Sequence, residues 1–130
     1  VPQSNICGAI QPPGSKSITN RAVICAALAI GPSELTNMLW SEDTEVMLTA
    51  WKQLGLDIEL DHENHRCQIV GCGGKLPIRQ SDIFVANSGT TIRFLAAALG
   101  ACEGEFTFDG VPRMRQRPIG DLLRALESLG

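Results

Sequence analysis

Two segments of this sequence carry the residue types that hold an oxyanion at the start of a helix. Pro13-Gly14-Ser15-Lys16-Ser17 and Asn87-Ser88-Gly89-Thr90-Thr91 each set glycine and hydroxyl residues ahead of an apolar stretch, with Arg21 and Arg93 a turn later. Free backbone N–H groups at a helix start, together with the helix dipole, favour phosphate and carboxylate. Lys16 adds a point charge within reach of the same anion, Gly14 lets the backbone approach closely, and Pro12-Pro13 stiffen the entry. The first loop reads equally well as a plain helix cap, with Ser15 or Ser17 bonding the backbone and Lys16 solvated. A nucleotide P-loop is excluded. A serine separates Gly14 from Lys16, and Gly8 lies one residue too far upstream.

The third basic segment is Arg113-Met-Arg115-Gln-Arg117-Pro118. Arginines at alternate positions repel one another unless an anion gathers them, and their forks match carboxylate and phosphate. At least one of the three is therefore expected to bind substrate, although Arg117 also has Asp121 four residues on as an internal partner. Arg93 has two readings as well: contact with a ligand, or a salt bridge orienting its own helix start. Three anion sites without a nucleophilic triad point to one substrate, or a pair, bearing several negative charges. His62, His65, Cys67 and Cys72 raise the question of zinc. Alternation on both sides of His62-Glu-Asn-His65 reads instead as a hairpin tip, with solvated histidines and a packed Cys67. No metal and no cofactor are expected.

These segments recur on a repeat. Ser17-Ile-Thr-Asn-Arg21 leads into one apolar helix and Gly89-Thr-Thr-Ile-Arg93 into another. A short strand follows each, at Ser33-Glu-Leu-Thr36 and Gly104-Glu-Phe-Thr107, and then a second helix ending Leu54-Gly55 or Leu129-Gly130. Gly in the left-handed position past a helix end suits that pattern. In the first copy the second helix is capped by Ser41 or Asp43 and buries Val46, Leu48, Trp51 and Leu54. In the second copy it starts at Pro118 and turns Leu122, Leu123, Leu126 and Leu129 inward. The hairpin and the strand Asp82-Ile-Phe-Val-Ala86 lie between. The expected class is α/β (α+β), in βαβαββ units. Residues 1–14 are a strand and crossover segment, 15–81 the first unit, and 82–130 the start of a second that stops after its second helix. The chain reads as incomplete.

A length of 130 residues suffices for a core, and a net charge of −3 gives no hint of nucleic acid or of an acidic membrane surface. The apolar run 22–30 is too short to span a bilayer, no signal peptide is read, and Val1 suggests residues removed upstream. Five cysteines, an odd number within periodic segments, suit reduced thiols. The expected compartment is the cytoplasm, or a plastid if the source is a plant.

In order and spacing, Pro13-Gly-Ser-Lys-Ser-Ile-Thr-Asn-Arg-Ala22, Asn87-Ser-Gly-Thr-Thr-Ile-Arg93 and Pro112-Arg-Met-Arg-Gln-Arg-Pro-Ile-Gly120 resemble the EPSP synthase family over essentially the whole chain. The resemblance implies the two-domain enolpyruvyl transferase fold of repeated βαβαββ units, with only part of it here. It implies transfer of the enolpyruvyl group of phosphoenolpyruvate to the 5-hydroxyl of shikimate 3-phosphate, with release of phosphate. It casts Lys16 as a catalytic residue contacting both substrates, and Ser17 and Arg21 as ligands of shikimate 3-phosphate. It casts Gly89 and Arg113 as ligands of phosphoenolpyruvate, with Asn87 and Thr90 lining the same pocket. Arg93, Arg115 and Arg117 are further candidates. The family's acid and base carboxylates would lie past Gly130, so the chain alone is expected to be inactive and to need the remaining part, conceivably as a second chain.

Two positions depart from the family: Phe94 where proline is common and Ser88 where many relatives have alanine. Both border the site where glyphosate competes with phosphoenolpyruvate, and a bulky Phe94 is expected to tilt the Gly89-Thr90 turn and alter sensitivity. The sister transferase acting on UDP-N-acetylglucosamine usually has a reactive cysteine in the loop matching 113–117, and none stands there. A non-catalytic anion-binding fragment is the alternative from outside enzymology.

Overall fold

The structure is a computed structural model that describes residues 7–130. Residues 7–14 form neither helix nor strand, and the part of the expected first strand that falls on 1–6 lies outside the described residues. The described elements run α1 (Lys16–Leu28), β1 (Ile30–Leu35), α2 (Glu42–Gln53), β2 (Ile58–Asp61), β3 (Arg66–Cys72), β4 (Gln80–Phe84), α3 (Gly89–Gly100), β5 (Glu105–Asp109), α4 (Pro112–Arg115) and α5 (Gly120–Leu129). The order α3, β5, α5 repeats that of α1, β1, α2, with the short turn α4 inserted.

The hairpin stands where alternation put it. β2 and β3 pair antiparallel with Ile58 opposite Ile69, and β1 flanks β3 on its other side, giving the order β1-β3-β2. β4 and β5 pair in parallel, Gln80 with Glu105 through Phe84 with Asp109, and α3 is their crossover. In such a βαβ unit the turn from strand to helix, here residues 85–88, lies at the strand's C-terminal end, where α/β proteins place ligands.

Spacing explains the packing. α1 buries Thr19, Asn20, Val23, Ala26 and Ala27, a narrow face of small side chains. Small residues let the helix settle onto β3, where a Cβ on Gly71 would run into the carbonyls of Ala26 and Ala29. α2 buries Leu48, Trp51 and Leu54 as expected, adds Met47 and Ala50, and leaves Val46 half-buried. These side chains share one core with Val23 and Ile69 and, across residue 81, with Ile83, Val85 and Leu95. Truncating Trp51, fully buried at the centre, falls among changes that cost about 3–5 kcal/mol.

Of the two expected caps of α2, Ser41 is the one used: its side chain accepts from the Thr44 N–H, and the Thr44 hydroxyl accepts from the Ser41 N–H. Two expectations need correction. Pro118 does not open α5, which begins at Gly120, while Pro112 takes the first-turn place of α4. The leucines of α5 are not inward either. Leu122 and Leu126 are half-buried, Leu123 and Leu129 are exposed, and no residue of α5 is fully buried. The helical period put them on one side correctly, but among the described residues α3 covers that side only in part. The Gly55 turn behaves as expected, with φ of +93° just past Leu54.

Candidate functional site

Three helices begin at one cleft. Lys16 and Ser17 come from the first turn of α1, Glu42 and Asp43 from that of α2, and Gly89 and Thr90 from that of α3. Ser41, Asn87, Arg21, Arg93, Phe94 and Arg117 complete a concavity of about 650 Å³. α2 brings its own anions, Glu42, Asp43 and Glu45, to its positive end, whereas α1 and α3 have no acidic residue in the first turn. The helix starts of α1 and α3 thus have no acidic side chain of their own to offset their positive ends. Four cations line the cleft against two carboxylates, so it is locally positive in a chain of net charge −3.

Each start is built by its own cap. The Ser15 side chain accepts from the Ile18 N–H at 3.4 Å, and the buried Ser88 accepts from the Thr91 N–H at 3.2 Å. The cap reading of the first loop holds at Ser15, while Lys16 and Ser17 line the cleft. Gly14 is needed for a different approach from the one expected. A Cβ there would lie 2.7 Å from the Leu39 nitrogen, so the glycine seats the loop against residues 37–39. Thr19 ties the same contact by accepting from the Leu39 N–H at 3.1 Å.

Lys16 Nζ donates to Asp43 Oδ2 at 2.6 Å. Burial alone would raise the Asp43 pKa, but hydrogen bonds from Lys16 and Ser88 and the charges of Lys16 and Arg117 outweigh it, holding the carboxyl below its ordinary value. Asp43 was absent from the expected site residues. Its signal in the sequence was only that it begins a helix next to Ser41, and its meeting with Lys16 depends on how α1 and α2 pack.

Among the described residues Arg93 makes no salt bridge, contrary to one of its two readings. It donates to the Gly89 carbonyl at 2.9 Å and to the Pro118 carbonyl at 2.7 Å, pinning the α4–α5 connection to the start of α3. Arg117 is thereby carried into the cleft: a Cβ on Gly89 would lie 2.5 Å from Arg117 Nη1 and 3.1 Å from Arg93 Nη1. Its expected alternative, a pair with Asp121, does not form, because Asp121 pairs with Arg124 instead. Of the three alternate arginines only Arg117 lines the cleft. Arg115 forks onto Asp109 through Nε at 2.8 Å and Nη2 at 2.7 Å, and Arg113 is exposed on α4 away from the lining. The short turn of α4, which alternate spacing does not show, sends the three in different directions.

Arg21 donates to the Ser17 carbonyl at 2.9 Å and lies over the Phe94 ring, 5.3 Å from its centroid. The Oδ1 of Asn87, beside the cleft, is buried and has no hydrogen-bond partner among the described residues. The hairpin tip holds His62 against Trp40, with ring centroids 4.3 Å apart, and both histidines are exposed. Cys67 is packed as expected, and burial pushes its thiol up to about 11.

A family model described as EPSP synthase (3-phosphoshikimate 1-carboxyvinyltransferase) matches residues 1–130. A 3-phosphoshikimate 1-carboxyvinyltransferase of Nostoc punctiforme is 50% identical over 121 residues, covering 93% of this chain and 28% of that protein. One of Shewanella oneidensis is 48% identical over 130 residues, covering 99% of this chain and 30% of that protein. Among solved structures, the EPSP synthase of Acinetobacter baumannii superposes with a TM-score of 0.87 at 30% identity, over 95% of this chain and 28% of that one. The chain thus spans less than a third of the length of the relatives it matches.

Proposed function

The chain belongs to the EPSP synthase family, and from that membership we propose that its cleft serves enolpyruvyl transfer from phosphoenolpyruvate to shikimate 3-phosphate. The 5-hydroxyl oxygen adds to C2 of phosphoenolpyruvate while C3 takes a proton; loss of phosphate from C2 and of a proton from C3 then leaves the enolpyruvyl ether. The observation that carries the reading is the convergence of two uncompensated helix starts, α1 and α3, on a cleft lined by Lys16, Arg21 and Arg117. Both substrates carry a phosphate and a carboxylate, which several separated anion donors match better than one would.

Lys16 is the residue placed to favour charge developing on phosphoenolpyruvate. Ser17 and Arg21, side by side on α1, suit the phosphate of shikimate 3-phosphate. Gly89, Thr90 and Asn87 offer backbone and side-chain groups to phosphoenolpyruvate, and Arg117 takes over the part expected of Arg113. Acid and base groups supplied by other parts of the enzyme, in one polypeptide or two, complete the reaction. Among the described residues no helix is long and apolar enough to cross a membrane, and we place the activity in the cytoplasm, or in a plastid for a plant source. Phe94 at the cleft also motivates a change in glyphosate inhibition on Phe94→Pro, and an unchanged inhibition constant sinks that part.

The test is phosphate release from the protein expressed from its complete gene, with phosphoenolpyruvate and either shikimate 3-phosphate or UDP-N-acetylglucosamine as acceptor. Turnover with the first, abolished by Lys16→Met, is expected. Turnover only with the second assigns the sister reaction, and binding without turnover in either makes the protein a non-catalytic anion binder.

A further inference from the structure

Arg21 differs from its neighbours in how it is held. Lys16 and Arg115 are each paired with a carboxylate, and Arg93 spends its donors on two carbonyls. Arg21 has no carboxylate partner among the described residues and makes one side-chain hydrogen bond, from Nη1 to the Ser17 carbonyl. Its other support is the face of Phe94, a half-buried ring on the neighbouring helix α3 that packs against the core. A ring face attracts a guanidinium through its quadrupole and acts on the flat side of the fork, so it neither cancels the charge nor occupies the N–H edges. A carboxylate in the same place would do both.

We propose that Phe94 is a positioning residue: it fixes the Arg21 guanidinium at the cleft with its donor edges open, so that Arg21 meets a phosphoryl group pre-oriented and fully charged. The flexible arginine side chain otherwise samples many rotamers, a freedom that is lost whenever a ligand orders it. Because the ring comes from α3 and the arginine from α1, the contact also sets the two anion-binding helix starts relative to each other. The expected consequence of losing it is weaker binding of a phosphate group, not a change of chemistry.

The inference rests on reading the cleft as an anion site, and its test separates the two. Inorganic phosphate is titrated calorimetrically into the protein expressed from its complete gene, as wild type, Phe94→Leu, Phe94→Tyr, Arg21→Ala and the Arg21→Ala/Phe94→Leu double variant. Phe94→Leu is expected to weaken phosphate about two- to fivefold, the worth of a partly exposed cation–π contact. Phe94→Tyr is expected to restore wild-type affinity, and the leucine change to add nothing once Arg21 is gone. In arginine-labelled protein, the Arg21 side-chain protons are expected to show a ring-current displacement that is present in wild type and Phe94→Tyr and lost in Phe94→Leu. Equal affinities of Phe94→Leu and wild type, or the same loss with and without Arg21, overturn the proposal. No phosphate binding by folded wild type overturns it together with the anion reading. Phosphate binding without enolpyruvyl transfer overturns the function alone.

Discussion

Lys16 and Asp43, which stand 27 residues apart on different helices, form a 2.6 Å ion pair at the edge of the cleft. The lysine that would meet an incoming anion is already in contact with one. Asp43 keeps Lys16 extended across the start of α2, at the cost of a negative charge facing the ligand.

Asp43→Asn keeps the shape and removes that charge. Phosphate affinity should rise by about 1 kcal/mol, roughly fivefold, for a like charge lost at several ångströms in a part-solvated site. Isothermal titration at low salt reads the change. Weaker binding in Asp43→Asn would instead mean that Lys16 needs the carboxylate to hold its place.

Arg93→Gln removes both carbonyl contacts, to Gly89 and to Pro118, without adding a charge. The connection between α4 and α5 then loses its tie to α3, and Arg117 moves from its place over Gly89. Phosphate affinity should drop about tenfold, in line with losing charge-assisted hydrogen bonds. Arg93→Lys should recover little of it, since one ammonium does not span two carbonyls as a planar fork does. Full recovery by lysine would show that charge alone matters at this position.

Gly71→Ala tests the seat of α1. The added Cβ meets backbone oxygens of Ala26 and Ala29, which cannot rotate away as a side chain does, and overpacking of this kind costs about 1–3 kcal/mol. Gly8→Ala, where a Cβ has nothing within 4 Å, is the control and should leave the urea midpoint unchanged. A midpoint for Gly71→Ala equal to wild type would mean that α1 can slide on β3.

Asp109 and Arg115 give a pH signature. The Arg115 hydrogen bonds, and then the Gly110 N–H, hold the Asp109 carboxyl down at about 2 from its ordinary 3.8. A carboxyl depressed in the folded state contributes stability that is present above 3.8 and lost as pH falls through about 2. Arg115→Gln should therefore lower stability at neutral pH, and the wild-type and variant curves should converge below pH 2. Both partners are exposed, so added salt should narrow the gap. Parallel curves down to pH 1.5 would contradict the assignment.

The helix starts and the hairpin were legible because their causes are local: Ser15 and Ser88 cap the turns they precede, and alternation around 62–65 sets the tip. The roles of Gly14 and Gly89 were legible only as close approaches. What approaches is residues 37–39 in one case and Arg117 in the other, and this follows from packing between distant segments. Arg117 rather than Arg113 faces the cleft because α4 inserts a turn that four residues of sequence, Pro112-Arg-Met-Arg115, scarcely signal. Asp43 was read only as a candidate cap for a related reason: among three acidic residues at the start of α2, only the fold selects the one that meets Lys16. The leucines of α5 show the converse, a periodicity that marks a side without saying what covers it.

If the cleft where α1 and α3 begin binds anions as proposed, this protein's thermal stability depends on its buffer. Two like-signed helix ends and several cations repel one another when nothing sits between them, and any small oxyanion that does so favours the native fold in proportion to its concentration over its dissociation constant. A melting curve recorded in phosphate and one recorded in a zwitterionic buffer then describe two different liganded species. Comparing variants across laboratories requires the counter-anion to be stated as carefully as the pH.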